Sequence, residues 1–326
     1  MRDSGKKGPI LLMEDWFDID CPTKYLHFFQ DNSKKLHILD LEEAKTTGNY
    51  KFEELELNIN FKIPIWHRSI ITRQGVIYLT GGSEANAKRD KNSDAVYIFD
   101  PIERTLKPKA KLNFARNSHG IAILQDHIYV VGGCVDDEGY TDKCERYEIS
   151  KYYEKTVGGW EVIAPLNHPA YAPCLAAFND TYLYKFGGIL SLNEMNNYVE
   201  RYDPRSNKWT EIKYQVFGAN SIDFCLMAYA SCYQINEKEI YIFGGSEFDA
   251  KSNQTYLLRI DDGLNIIQKT DVTLPYFGIF WNNGIVHQNK LYCLQNVQLS
   301  KSDAFFLGKR KVLCYDGTKW KEILLN

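Results

Sequence analysis

No run in this 326-residue chain is apolar for long enough to cross a membrane. The N-terminal PILLMEDWF is too short and too acidic to be the apolar region of a signal peptide. Neither sign of charge is in excess: 39 Lys plus Arg face 42 Asp plus Glu, a formal net charge of −3. That balance gives no bulk electrostatic reason to bind nucleic acid or an anionic membrane. The eight cysteines (21, 134, 144, 174, 225, 232, 293, 314) form no C-x-x-C pair. Cys134 with Cys144, or Cys225 with Cys232, has the spacing of a disulfide or half a metal site. Without an export signal, the reading adopted is reduced thiols acting as small apolar residues in a cytoplasmic protein. Catalytic signatures are missing too: there is no P-loop, H-E-x-x-H, G-x-S-x-G, or G-x-G-x-x-G after a strand. Of seven histidines, only His119 and His127 are near neighbours, and they flank a hairpin turn. Asp15, Asp18 and Asp20 lack the glycine and final glutamate of a calcium loop. No catalytic residue, metal or cofactor is therefore expected. Helical periodicity is confined to Leu41–Lys45.

What the chain has in quantity is aromatic residues and glycine: 22 Tyr, 17 Phe, 6 Trp and 22 Gly, a composition suited to short strands and many turns. These residues recur in register. VIYLTGG, HIYVVGG, TYLYKFGG and EIYIFGG end in the pairs Gly81-Gly82, Gly132-Gly133, Gly187-Gly188 and Gly244-Gly245, at spacings of 51, 55 and 57. Gln295-Asn296, ending KLYCLQN, lies 51 beyond the last pair, and Gln30-Asp31 lies 51 before the first. A second marker supports counting both as units. Six apolar segments ending in an acid follow the six positions, at Asp40, Asp100, Glu148, Asp203, Asp261 and Asp316. Period-two patterning within a unit reads as four strands, as in HGIAIL, HIYVV, KCERYEI and the segment around Trp160. A four-stranded sheet buries both faces only by stacking on neighbours, and a ring of such sheets leaves short, protected edges.

Double glycine followed by a tyrosine and a tryptophan, as in Tyr202-Asp203-Pro204-Arg205-Ser206-Asn207-Lys208-Trp209, resembles the kelch repeat. Phe99…Leu106 is an aliphatic variant, Tyr315…Trp320 a shortened one, and Tyr147…Trp160 carries an insertion. The resemblance runs from about residue 21 onward and implies an all-β, six-bladed propeller with four antiparallel strands per blade. Residues 1–20 read as an N-terminal segment and 21–326 as one propeller domain. ILLM at 10–13 is offered as the innermost strand of the first blade, so that first and last blades join without a swapped strand.

In propellers of this kind, partners sit on a face built from two loop sets. One precedes the first strand of each blade, and the other follows the glycine pair. The first set would bring Trp66, His67, Arg68, Arg116, Tyr171, Tyr276 and Phe277 together at the channel mouth. Arginine and aromatic side chains dominate the energetics of protein interfaces, and paired arginines favour carboxylate or phosphate. The resemblance thus implies a scaffold or substrate-adaptor module taking a protein or acidic peptide, with no nucleic acid and no membrane. The competing reading of Arg68 and Arg116 is that they pair with neighbouring acids. Lys309-Arg310-Lys311 reads as a solvated edge, and AFFLG (304–308) as a buried tuck or an exposed contact. The alternative function is a propeller enzyme acting on a sugar or small metabolite at the channel mouth.

Overall fold

The computed structural model describes residues 24–72, 75–84, 91–136, 139–149, 158–217, 227–247, 250–260, 264–280, 284–297 and 309–325. Six large sheets follow one another along the chain, and in the second to fifth a short hairpin belonging to a separate small sheet comes between the second and third strands. The third is Gly120–Leu124, His127–Val131, Cys144–Glu148 and Glu161–Ile163, and the fourth is Cys174–Phe178, Tyr182–Phe186, Val199–Asp203 and Lys208–Ile212. The second (Arg68–Ile71 to Thr105–Pro108) is of the same form. In the sixth, Gly278–Phe280 and Ile285–His287 both pair with Lys290–Val297, which is followed by Lys309–Tyr315 and Trp320–Ile323. The first sheet shows Tyr25–Phe29, Lys35–Asp40 and Glu53–Glu56, and the segment 10–13 lies outside the described residues. Among the described residues the single helix is Leu41–Thr47, started by the Asp40 carboxylate on the backbone N–H groups of Glu42 and Glu43 and ended by Gly48 at φ 71°. The all-β propeller expected from the repeats is the fold observed.

Glycine pairs are required where sheets approach. Gly132 and Gly133 sit at φ 63° and 98°. A Cβ on Gly132 would fall 2.4 Å from Ala170 O of the next sheet, and one on Gly133 would fall 2.5 Å from Asn117 O. The sixth sheet solves the same problem differently. Gln295 and Asn296 continue an extended strand to Val297, and the glycine stands on the strand opposite. A Cβ on Gly278 would lie 2.4 Å from Asn296 O. The close approach survives, and the residue that permits it has moved across the ladder.

The recurrent acids and aromatics also acquire physical roles. Asp100, Asp203 and Asp316 accept hydrogen bonds from backbone N–H groups two or three residues on, setting the turn into the outer strand. Tyr202 packs on Trp209 with ring centroids 5.1 Å apart, and the indole N–H reaches back 3.0 Å to Ala164 O of the preceding sheet. Trp160 repeats this on Ala110 O at 3.0 Å. The fifth sheet departs from the expected four strands. Tyr214–Phe217 adds to its outer edge in parallel with Asn265–Lys269, covering an edge that would otherwise stand open.

Six apolar cores lie between successive sheets. One joins Tyr184 and Val199 of the fourth to Ile240, Ile242 and Leu258 of the fifth. At the seam, Leu26 and Leu39 of the first sheet pack on Ile285, Tyr292, Val312 and Cys314 of the sixth. The ring therefore closes through side-chain packing. Among the described residues, no strand from one end of the chain enters the sheet at the other.

Candidate functional site

The loop face is laced together by the backbone. After the glycine pair, each of the second to fifth sheets carries a short hairpin. Its first strand pairs with the loop before the innermost strand, at Ile65–Ser83, Arg116–Val135, Tyr171–Ile189 and Ala228–Ser246. The two loop sets thus form one hydrogen-bonded layer. Nearer the axis, Trp66, Ser118, Ala172 and Tyr229 all adopt left-handed φ values of 49–56°. Each carbonyl accepts from the next sheet: Ser118 N to Trp66 O (3.0 Å), Ala172 N to Ser118 O (2.8 Å), Tyr229 N to Ala172 O (2.9 Å) and Phe280 N to Tyr229 O (2.9 Å). A second arc, also running from the second sheet to the sixth, passes through the glycines. Gly82, Gly133, Gly188 and Gly245 donate to Arg116, Ala170, Met227 and Gly278 of the following sheet.

This framework aims a small set of side chains at the mouth. Tyr229 Oη donates to Tyr171 Oη at 2.8 Å, and Ser118 Oγ reaches the same oxygen at 3.3 Å. The Arg68 guanidinium lies 5.7 Å from the Tyr229 ring centroid, and its Nε donates to His119 O at 2.8 Å. Tyr140, from the hairpin after Gly133, stacks on Tyr171 at 4.9 Å. Burial, reinforced by Tyr171, holds the Tyr229 phenol well above its ordinary pKa, so the hydroxyl is a neutral donor. Burial lowers Arg68 from its usual value, and an arginine remains ionised all the same. Burial together with Arg116 and Arg68 keeps His119 neutral, with Nε2 on Thr80 Oγ1 at 2.8 Å and Nδ1 without a partner.

The seven residues singled out from the sequence separate in space. Arg68 and Tyr171 meet at the mouth through Tyr229. His67 is buried, its Nδ1 2.7 Å from Pro64 O and 3.2 Å from Asp31. Half-buried Trp66 contributes its backbone to the inner arc. Arg116 is fully buried and turned into its own sheet. It donates to Gly132 O (2.8 Å), Lys143 O (2.7 Å) and Glu145 (3.0 Å). That arrangement is architectural, because it recurs one sheet on. Glu145 captures Asn113 as Glu200 captures Asn167, and Lys185 stands 3.9 Å from Glu200. Tyr276 turns toward the outer strand, where it donates to Glu322 and lies under Lys311. Phe277 is 57% exposed. Sequence reasoning missed Ser118, Tyr140 and Tyr229.

Cys134, Cys144, Cys174, Cys232, Cys293 and Cys314 are free thiols, and Cys225 lies outside the described residues. Among the described residues, no three His, Cys, Asp or Glu side chains are grouped to hold a metal ion, and no helix is long and apolar enough to span a membrane.

Comparison with known proteins agrees with this architecture. The kelch motif family model matches residues 115–152 and 170–214. Kelch-like protein 23 of Homo sapiens is 28% identical over 147 residues, 45% of this chain and 24% of that protein. Alpha-scruin of Limulus polyphemus is 23% identical over 277 residues, 82% of this chain and 26% of that protein. The matched region spans about a quarter of the length of these curated relatives. Among solved structures, that of YjhT superposes with a TM-score of 0.66 at 11% identity, covering 92% of this chain and 94% of its own.

Proposed function

We propose that this chain, which belongs to the kelch-repeat family, is a protein-interaction module that takes an acidic, extended segment of a partner across its loop face. The observation that carries the reading is the mouth cluster, in which Tyr140, Tyr171 and Tyr229 surround Ser118 beside the Arg68 guanidinium. Aromatic rings give contact area at low entropic cost, and the Arg68 cation buried behind them adds a positive potential that favours an anionic group on the ligand. Exposed Phe277 extends the same face outward. The continuous hydrogen-bonded layer beneath makes this surface rigid, so little ordering is needed on binding. Free thiols fit a reducing compartment such as the cytoplasm.

The test compares wild type with a Tyr171→Ala, Phe277→Ala double variant as baits in native lysate, once both are shown to melt alike. Partners held by the wild type should be lost from the variant. Synthetic peptides from those partners should bind at least about tenfold more weakly when their Glu and Asp are replaced by amides. Retention of the whole captured set by the variant would move the contact off this face. Should neither bait capture a protein while a sugar or metabolite raises the wild-type melting temperature, the enzyme alternative takes its place.

A further inference from the structure

The seam between the first and sixth sheets opens on the loop face as a small cleft, with a volume of about 20 Å³, lined by Phe28, Phe29, Asp31, His67, Leu294, Asn296 and Arg310. Its position follows from the repeat. Asp31 and Asn296 stand where other units have the second glycine of the pair. Arg310 pairs directly with Asn296 across the ladder.

Arg310 does not behave as a solvated edge residue. Its neighbour Lys311 is taken by Glu322 at 2.5 Å. The Arg310 guanidinium instead lies 3.9 Å over the Phe28 ring, which stacks in turn on His37 at 4.3 Å. The guanidinium plane is therefore fixed before any ligand arrives. Among the described residues, the acid whose charge Arg310 feels is Asp31, but that carboxylate sits 3.2 Å from His67 Nδ1. No described acid comes within salt-bridge reach of Arg310.

A half-buried, oriented guanidinium with unclaimed donors, an aromatic floor and an amide at the wall is a receptor for a planar anion. Shape decides which anion: the planar guanidinium fork matches the two oxygens of a carboxylate, and the small cleft leaves little room for a tetrahedral phosphate beside Asp31. We propose that the Phe28–Arg310 cleft is a subsite for one carboxylate side chain, Glu or Asp, of the bound segment. This deepens the loop-face reading and rests on it.

The experiment uses the intact protein and needs no partner. The side-chain Nε–Hε NMR signal of Arg310, assigned by its loss in Arg310→Gln, is followed during titration with N-acetyl-glutamate amide. N-acetyl-glutamine amide and N-acetyl-phosphoserine amide are run in parallel. The signal should move and saturate with the carboxylate compound, stay still with the amide, and respond more weakly to phosphoserine. Arg310→Lys keeps the charge without the fork and should weaken the response of neighbouring backbone amides by about tenfold. A silent Arg310 signal, an equal response to the amide, or a stronger one to phosphoserine overturns the subsite. If the Tyr171→Ala, Phe277→Ala bait still loses its partners while Arg310 stays silent, only the subsite falls and the loop-face reading stands.

Discussion

Gly133 and Gly158 both carry positive φ, at 98° and 73°, yet the consequences of adding a methyl group differ. At Gly133 the new Cβ would strike Asn117 O at 2.5 Å, whereas at Gly158 nothing among the described residues lies within 4 Å. Gly133→Ala should therefore cost about 3 kcal/mol or more, from left-handed strain plus a clash with backbone. Gly158→Ala should cost about 1 kcal/mol, from strain alone. Urea denaturation of both variants measures the difference. The converse substitution is informative too. Gln295→Gly restores the repeat but should destabilise by about 1 kcal/mol, because the backbone is extended there and Gln295 Nε2 holds Tyr276 O at 3.1 Å. A second residue-scale expectation concerns acid. Burial, with His67 adding to it, pushes His27 from 6.5 down to about 4. Because the folded pKa lies below the unfolded one, the unfolded chain takes up the proton first. Stability is then full above about pH 6.5 and is lost as pH falls toward 4, by up to about 3 kcal/mol from this imidazole. His119, also held low, acts in the same direction. Unfolding free energies measured from pH 7.5 to 4.5 should show the slope, and His27→Leu should flatten it.

Around the axis the recurring feature is a backbone conformation. Trp66, Ser118, Ala172 and Tyr229 share a left-handed φ and a place in the inner hydrogen-bonded arc while ranging from alanine to tryptophan in size and polarity. This is why the sequence revealed the glycine pairs and missed this arc, and with it Ser118 and Tyr229. A glycine is required by a local clash and is visible as a letter, whereas a strained turn held by its surroundings accepts many residue types. The two arginines were open to finer resolution. Arg68 stands 13 residues before its glycine pair and Arg116 stands 16 before, so they occupy different places in their units. Arg116 has an acid, Glu145, on its own sheet at 3.0 Å. The acids at the outer turns were legible because an Asx turn needs a short carboxylate at a fixed offset. The parallel strand Tyr214–Phe217 was not, since an edge pairing depends on where a neighbouring strand ends. For the elements, the expectation is protection where loops ordinarily exchange. The amides of Ser118, Ala172, Tyr229, Phe280, Gly133 and Gly245 should exchange with deuterium as slowly as those of the second strands. Fast exchange at these loop positions would mean that the arcs do not hold the sheets together.

A ring differs from a linear array in having no end from which to fray, and the seam decides which description applies. Neighbouring residues of one strand face opposite cores there. Val312 packs into the interface with the first sheet, and Leu313 into the interface with the fifth. In a linear array, damage at a terminal interface would loosen the last sheet and leave the others alone. In a closed ring, opening the seam removes one neighbour from two sheets at once, and the remaining cores lose the constraint that holds them in register. Val312→Ala, at a site with no exposed surface, should cost about 2–3 kcal/mol by the loss of buried methyl groups and the cavity left behind. That cost should appear in the global unfolding transition. Deuterium exchange of Ala122, Tyr129, Leu175 and Tyr184, in sheets opposite the seam, should accelerate by the same factor as exchange of Leu26 and Leu39 beside it. Acceleration confined to the first and sixth sheets would mean that the seam closes the circle in shape without coupling its energetics. The carboxylate subsite, built from residues of both those sheets, would then sit on a joint that opens independently of the rest.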